Sequence, residues 1–450
     1  MITAAYKSLI TIFFLAVSAT LSLTGQHLPD SLAGYLEIAA KNNPMVQQKL
    51  LEYQASLQRV PQVGSLPDPE LSAGVFLKPM ELLSGNQIAD LRLMQMFPWF
   101  GVLKNAKDEM SLMAKAKFEL FRDAKSQVYY DVQLTWYELF RVREERRISE
   151  KNIAILKTIE RLSLVSYKSP SSGSVVSQPS GSMSSSGSQG GVAGSSSGGS
   201  GLSDLYRIQI EVGELENNIA LLKNQERTFI ARFNSYLNRQ PMSPVFVDTI
   251  LFSDSNTFSE LVVQDSILAN NPMLSMIDYE IQSFEARKRM VTGMSYPMAG
   301  LGINYSLINK SPMSSSTMNG ADMLMPMVSV TLPVYRKKYN AMKSETDLLR
   351  SAAEQNYKTT VNSLHNEFYS AFQLYQDASR RVKLYEDQRI LASRSLDLLL
   401  KDFSTSASSL TDVLRLRQQT LEYELKLVES NVDLNIAAAW LQRLMASAIK

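Results

Sequence analysis

Apolar side chains recur along this chain with two different periods. From Tyr335 to Phe403 no Pro or Gly interrupts a run in which aliphatic and aromatic residues dot a surface rich in Lys, Glu, Gln and Arg. An uninterrupted run of roughly 68 residues predicts one helix of about 100 Å. A break at Ser404 to Leu414 follows. Beyond it Leu414, Leu421, Leu425, Val428 and Val432 keep a 7-4-3-4 spacing, the seam of a coiled coil. A helix that long needs partners of similar length. Elsewhere the period falls to two: Ala299, Leu301, Ile303, Tyr305 and Leu307 alternate with Gly300, Gly302, Asn304 and Ser306, which predicts a strand with two unlike faces.

The same order of signals occurs twice. Ala39-Ala40-Lys41-Asn42-Asn43-Pro44-Met45 returns as Ile267-Leu268-Ala269-Asn270-Asn271-Pro272-Met273, with Asn as N-cap and Pro as the first helical residue. Each is followed by a Pro-punctuated entry, at Pro67-Asp68-Pro69-Glu70-Leu71 or Tyr296-Pro297. Strands are predicted at 70–79 and 88–97 in the first half, and at 298–308 and 324–332 in the second. Pro326 weakens the last, because a strand proline belongs at an edge, an end or a bulge. Each return strand ends at a proline, Pro98-Trp99-Phe100 or Pro333-Val334-Tyr335. A long helix then starts, 100–167 or 335–403.

The break is duplicated too. Leu202-Ser203-Asp204-Leu205-Tyr206-Arg207 parallels Leu410-Thr411-Asp412-Val413-Leu414-Arg415. Ser203 and Thr411 are the expected N-caps, which puts Asp204 and Asp412 in first turns facing the helix dipole. An insert at 169–201, mostly Ser and Gly, has too few apolar residues to pack and is expected to be a flexible loop. In each half, the helix starting at Asn-Pro plus the returning helix comes to roughly 55–63 residues, nearly one long helix. Two short helices stacked end to end therefore match one long neighbour. Strands emerge at one end and the Asp-containing breaks lie at the other. The domain organisation expected is a first repeat over 26–240, a linker over 241–256 and a second repeat over 257–450.

Composition narrows the function classes. Lys and Arg number 46 against 44 Asp and Glu, so no basic surface of nucleic-acid size is implied. Cysteine is absent, which excludes disulfides, thiolate metal sites and a lipid-modified Cys. His27 and His365 stand far apart and read as ordinary surface or seam residues, since a zinc site needs several convergent ligands. No residue constellation points to an enzyme or a cofactor. Lys7, the apolar run Leu9 to Val17 and small residues after it predict a secretory signal over 1–25, cleaved after Ala19 or Gly25. No later apolar run reaches the length of a membrane helix. An exported chain of this kind can still enter a membrane as β-strands.

These features, in order and twice, resemble the TolC family of outer-membrane efflux channels, over essentially the whole chain after the signal. The duplicated Asn-Pro starts, Pro67 to Leu71, the two hairpins, the Pro-aromatic exits, the paired breaks and Phe233-Asn234-Ser235-Tyr236-Leu237-Asn238-Arg239 carry the resemblance. It implies a mostly α fold with a transmembrane β part: long coiled-coil helices plus a hairpin, written twice. It also implies a homotrimer that closes a twelve-stranded barrel in outer-membrane lipid above a periplasmic helical tunnel. The partners it implies are a periplasmic adaptor protein and an inner-membrane pump. The residues alone require only that more than one chain takes part, because four strands cannot close a barrel.

Two sets of residues are candidate sites. By the same resemblance, Asp204 and Asp412, with Arg207 and Arg415 at i+3, form the periplasmic aperture. The plainer reading of each Asp is a helix-start residue paired with its Arg, and the two roles are compatible. The chain has 21 Met; Met323, Met325 and Met327 fall on one strand face and are candidate soft-metal ligands, against a plain role as apolar filler. A protein-secretion channel with the same tunnel is an alternative reading. So is a secreted coiled-coil structural protein, which leaves the duplicated period-2 segments unexplained.

Overall fold

A computed structural model describes residues 31–82, 84–168, 200–248, 251, 258–315, 317–404 and 409–446. The expected signal segment, nearly all of the Ser/Gly insert and the second half of the linker lie outside the described residues. The first half contains α1 (Leu32–Asn42), α2 (Pro44–Gly64), β1 (Glu70–Leu82), β2 (Gly85–Phe97), α3 (Val102–Lys168) and α4 (Ser200–Tyr236). The second contains α5 (Glu260–Asn270), α6 (Pro272–Met294), β3 (Met298–Asn309), β4 (Met323–Thr331), α7 (Arg336–Ser404) and α8 (Leu410–Leu444). The fold is mostly helical with one small antiparallel sheet.

The long helices α3 and α7 have 67 and 69 residues, about 100 Å each at the usual rise. α2 and α4 both pack along α3, and α6 and α8 both pack along α7. α6 and α8 also touch α3, which joins the halves. Such helices are stable because each buries a stripe against shorter neighbours that together run much of its length.

The duplicated asparagines set this stacking. Asn43 caps α2 by accepting from the Met45 N–H at 2.9 Å, and its Nδ2 donates to the Tyr236 carbonyl at 2.9 Å. Asn271 does the same in the second half, accepting from the Met273 N–H at 3.0 Å and donating to the Leu444 carbonyl at 3.1 Å. One buried side chain thus starts one helix and satisfies the last turn of another, so α2 sits on the end of α4, and α6 on the end of α8. The sequence reading gave these residues only the first task.

The short helices α1 and α5, not expected from the sequence, close over these junctions. Tyr35 is fully buried, edge-on to Phe233 at 5.1 Å, and its hydroxyl accepts from the Phe246 N–H. Val46, Val132, Trp136 and Leu237 complete that core, and Val263, Ile267, Phe368 and Leu441 build the matching core of the second half. Asn43→Ala removes the cap and leaves the Tyr236 carbonyl short of its donor, an expected loss of about 2–3 kcal/mol. Asn43→Asp keeps the cap acceptor and should recover about half of that loss. Denaturation midpoints of the two variants measure the difference.

The sheet order is β1-β2-β3-β4, antiparallel throughout. β1 and β2 run to Leu82 and from Gly85, farther than the alternation suggested, because register shifts between Val75 and Met80 and between Gln87 and Ala89 break the pattern while pairing continues. Gly85 turns the chain with φ 127, where a side chain would run into the Asn309 carbonyl. Pro326 faces Ile303 with no register shift. It lies in an edge strand, as does Pro79 in β1, where a missing N–H is tolerated.

Candidate functional site

The register divides the sheet into two chemically different faces. One face carries Leu71, Ala73 and Val75 of β1 and, across the sheet, Leu91, Leu93 and Phe97 of β2. It continues through Leu301, Ile303 and Tyr305 of β3 to Leu324, Val328 and Val330 of β4. All but Ala73 are exposed large hydrophobics; Val75 is 77% and Val328 75% exposed. A contiguous apolar surface of this kind is not left to water. The single polar residue at a paired position here, Gln95, donates to the Pro67 carbonyl at 2.8 Å near the helical end. The other face carries Glu70, Ser72, Asp90, Arg92, Asn304, Ser306 and Ser329, interleaved with Gly and Met. Apolar outward and polar inward, at period two, is the pattern of a strand that separates lipid from water.

Where strands give way to helices, Trp99 stacks on Tyr296 at 5.2 Å, and Phe100, Val334 and Tyr335 are exposed beside the prolines. Aromatic side chains collected at one level below an apolar band match a membrane–water interface.

The opposite end of the helices is the tip. Ile148, Leu156 and Ile159 of α3, Ile208 and Leu215 of α4, Leu396 of α7, and Leu410, Val413 and Leu414 of α8 form one core there. The two duplicated breaks meet on its surface: the Arg207 guanidinium lies 3.5 Å from the Thr411 hydroxyl. Arg415 pairs with Asp412 at 3.9 Å, with both side chains well exposed. Two capping assignments are corrected. Ser409 caps α8, accepting from the Thr411 N–H at 3.2 Å, so Thr411 is inside the helix and Asp412 stands in its first turn. α4 already begins at Ser200, so Ser203 is a helix residue and not a cap. The side chain of Asp204 lies outside the described residues.

A buried polar cluster under this surface escaped the sequence reading. Arg417 of α8 is 4% exposed, and its Nε donates to Oδ1 of the fully buried Asn152 on α3. Glu211 of α4 is 8% exposed and has Arg417 close by. Burial holds the Arg417 guanidinium below its usual pKa and pushes the Glu211 carboxyl above the ordinary carboxylate range. Among the described residues, Nη2 of Arg417 and Nδ2 of Asn152 have no partner. The sequence did hold a signal. Arg417 lies three residues after Leu414 and four before Leu421, a seam position where an apolar side chain is the rule.

Met323, Met325 and Met327 share the polar face, in register with Ser306, Asn304 and Gly302. Among the described residues no group of His, Cys, Asp or Glu is arranged to hold a metal ion. No helix among them is long and apolar enough to cross a membrane.

A two-faced sheet with open edges, carried on paired helices about 100 Å long, defines the fold of the TolC-type outer-membrane channels, and this chain has it. Solved structures with the same fold include CusC, described as a transmembrane channel, with a TM-score of 0.70 at 13% identity over 92% of this chain and 91% of that one. The outer membrane protein VceC of Vibrio cholerae gives 0.69 at 12% identity over 93% and 97%. The open state of the MtrE outer membrane channel of Neisseria gonorrhoeae gives 0.69 at 12% identity over 93% and 89%. No protein-family model matches the sequence, and no curated protein does.

Proposed function

We propose that this protein is the outer-membrane channel of a tripartite efflux system. It passively conducts substrates from an inner-membrane pump and a periplasmic adaptor to the exterior. The observation that carries this reading is the sheet: apolar on one face, polar on the other, and open at both β1 and β4. No unpaired edge is tolerated in lipid, so β4 of one copy pairs with β1 of the next. Three copies give a twelve-stranded barrel with the polar face inside, and the helices below it form the tunnel through the periplasm. The likeness to outer-membrane channels supports this at the level of fold. The halves 26–240 and 257–450 are read as two copies of one structural repeat.

The direct test is membrane fractionation with and without boiling, followed by conductance in planar bilayers. An outer-membrane, heat-dissociated oligomer that conducts ions is the expected result. A soluble helical monomer or dimer would return the chain to the coiled-coil reading.

At the tip, Asp204 and Asp412 with Arg207 and Arg415 form the aperture in this proposal. Threefold assembly gathers six carboxylates around one axis, where like charges repel unless offset by the arginines or by bound cations. The double variant Asp204→Ala/Asp412→Ala should lose cation preference and block by divalent ions in single-channel recordings. Its stability should barely change, since a first-turn carboxylate such as Asp412 contributes only about 0.3–1 kcal/mol. Unchanged selectivity and unchanged divalent block would reduce both residues to local helix roles.

A further inference from the structure

Six methionines, Met94, Met96, Met298, Met323, Met325 and Met327, fall on the inward face of the sheet between the register shifts and the helices. The paired outward positions over the same stretch hold none. Methionine used as apolar filler belongs on the lipid side, yet these thioethers stand among Arg92, Asp90, Asn304 and Ser306. Thioethers set among polar side chains, away from the apolar face, present soft ligands to whatever meets that surface.

The Met94 and Met96 sulfurs converge, and Met327 shares the register row of Met94 across Gly302. The Ser329 hydroxyl lies 3.6 Å from the Met94 sulfur and 3.7 Å from the Met96 sulfur. Gly302 is the register partner of Met94 on one side and of Met327 on the other. The central strand therefore puts no side chain between them. A methyl group on Gly300 would lie 2.6 Å from the Met96 sulfur and 3.3 Å from the Met94 sulfur; one on Gly302 would lie 3.0 Å from the Met94 sulfur. The two glycines thus open a shallow space above β3, which the Met94 and Met96 thioethers share with the Ser329 hydroxyl.

We infer that Met94, Met96 and Met327 form a thioether site for a soft monovalent metal cation, Ag(I) or Cu(I). Its place on the conducting face, and so its bearing on what the channel carries, rests on the channel reading above. Thioether sulfur is a soft, neutral ligand that favours Cu(I)-like ions over Zn(II), Mg(II) or Ca(II). The cluster has no thiolate or imidazole, and its one carboxylate, Glu70, stands in register beside Met94. Neutral thioether sulfur remains the soft ligand and holds an ion weakly enough for it to leave again, which a conducting site requires. The sequence reading placed soft-metal candidates at Met323, Met325 and Met327. The structure brings only Met327 of these to the glycine-floored cluster, and supplies Met94 and Met96 from β2.

The test uses the full detergent-solubilised oligomer, equilibrium dialysis against Ag(I) in chloride-free buffer, and metal analysis. Leu replaces Met at nearly constant volume, so Met94→Leu/Met96→Leu/Met327→Leu keeps the packing and removes the sulfurs. Wild type should show a saturable Ag(I) class, with Ag–S scattering by X-ray absorption and no matching uptake of Zn(II). The triple variant should bind at least about tenfold more weakly, and Met323→Leu/Met325→Leu should bind like wild type. Equal uptake by wild type and the triple variant, or equal loss in both variants, overturns the assignment. Dialysis needs no bilayer, so the two readings fail separately. A chain that conducts but binds no Ag(I) loses this site alone, and one that binds Ag(I) but never conducts loses the channel.

Discussion

Arginine in place of Ile303 should abolish the heat-resistant oligomer, whereas arginine in place of Ser306 should leave it intact. The two positions are three residues apart in β3, on opposite faces of one strand. Ile303 is half exposed among Leu93, Leu301 and Pro326, near the middle of the strand. A guanidinium on the lipid side at that depth costs about 2–4 kcal/mol per chain, and every chain in the ring bears it. Ser306 pairs with Asp90, so an arginine there meets water and a carboxylate. Boiled and unboiled membrane fractions resolve the outcome. Assembly of both variants would mean that the apolar face is not in lipid.

Arg417→Ala is expected to give a large loss of stability in the helical part, about 2–4 kcal/mol, from the lost charge-assisted hydrogen bond and the cavity left by a buried side chain. The substitution strands buried Asn152 and removes the Arg417 charge that acts on buried Glu211. Removing both charges together should cost far less. Arg417→Met/Asn152→Leu/Glu211→Gln replaces the guanidinium and the Asn152 amide with apolar packing and leaves an uncharged amide at 211. It is expected to be near neutral, since well-packed substitutes often match a buried ionic group. Denaturation midpoints of both variants check the contrast. pH provides a second readout. Burial raises the folded-state pKa of Glu211, so its contribution to stability is full below the ordinary carboxylate range. It is lost as pH rises through the raised value. Glu211→Gln cannot ionise and should flatten that part of the curve between the ordinary carboxylate range and the raised value.

How much of this was readable in advance depends on whether a signal is local. The long helices and the alternating strands are periodic in the chain itself. So are the Asn-Pro starts, whose cap bonds to Met45, Val46 and Met273 reach only two or three residues. That was enough to place the fold class from sequence alone. Local capping was less secure at the tip, where Ser409 and not Thr411 holds the start of α8, because several Ser and Thr compete within a few residues.

What the sequence by itself determined, the short helices α1 and α5 aside, is therefore the long and strand elements, their order, their duplication and the two faces of each strand. These follow from periods of 3.6 and 2 and from the fixed geometry of Pro and Asn. Only the tertiary structure decided which distant residues meet. Asn43 reaches Tyr236 across 193 residues, and Arg417 reaches Asn152 across 265. Met94 and Met96 join Ser329 across more than 230. No periodicity encodes such contacts. They exist because the long helices and the strand register carry separate parts of the chain to the same height.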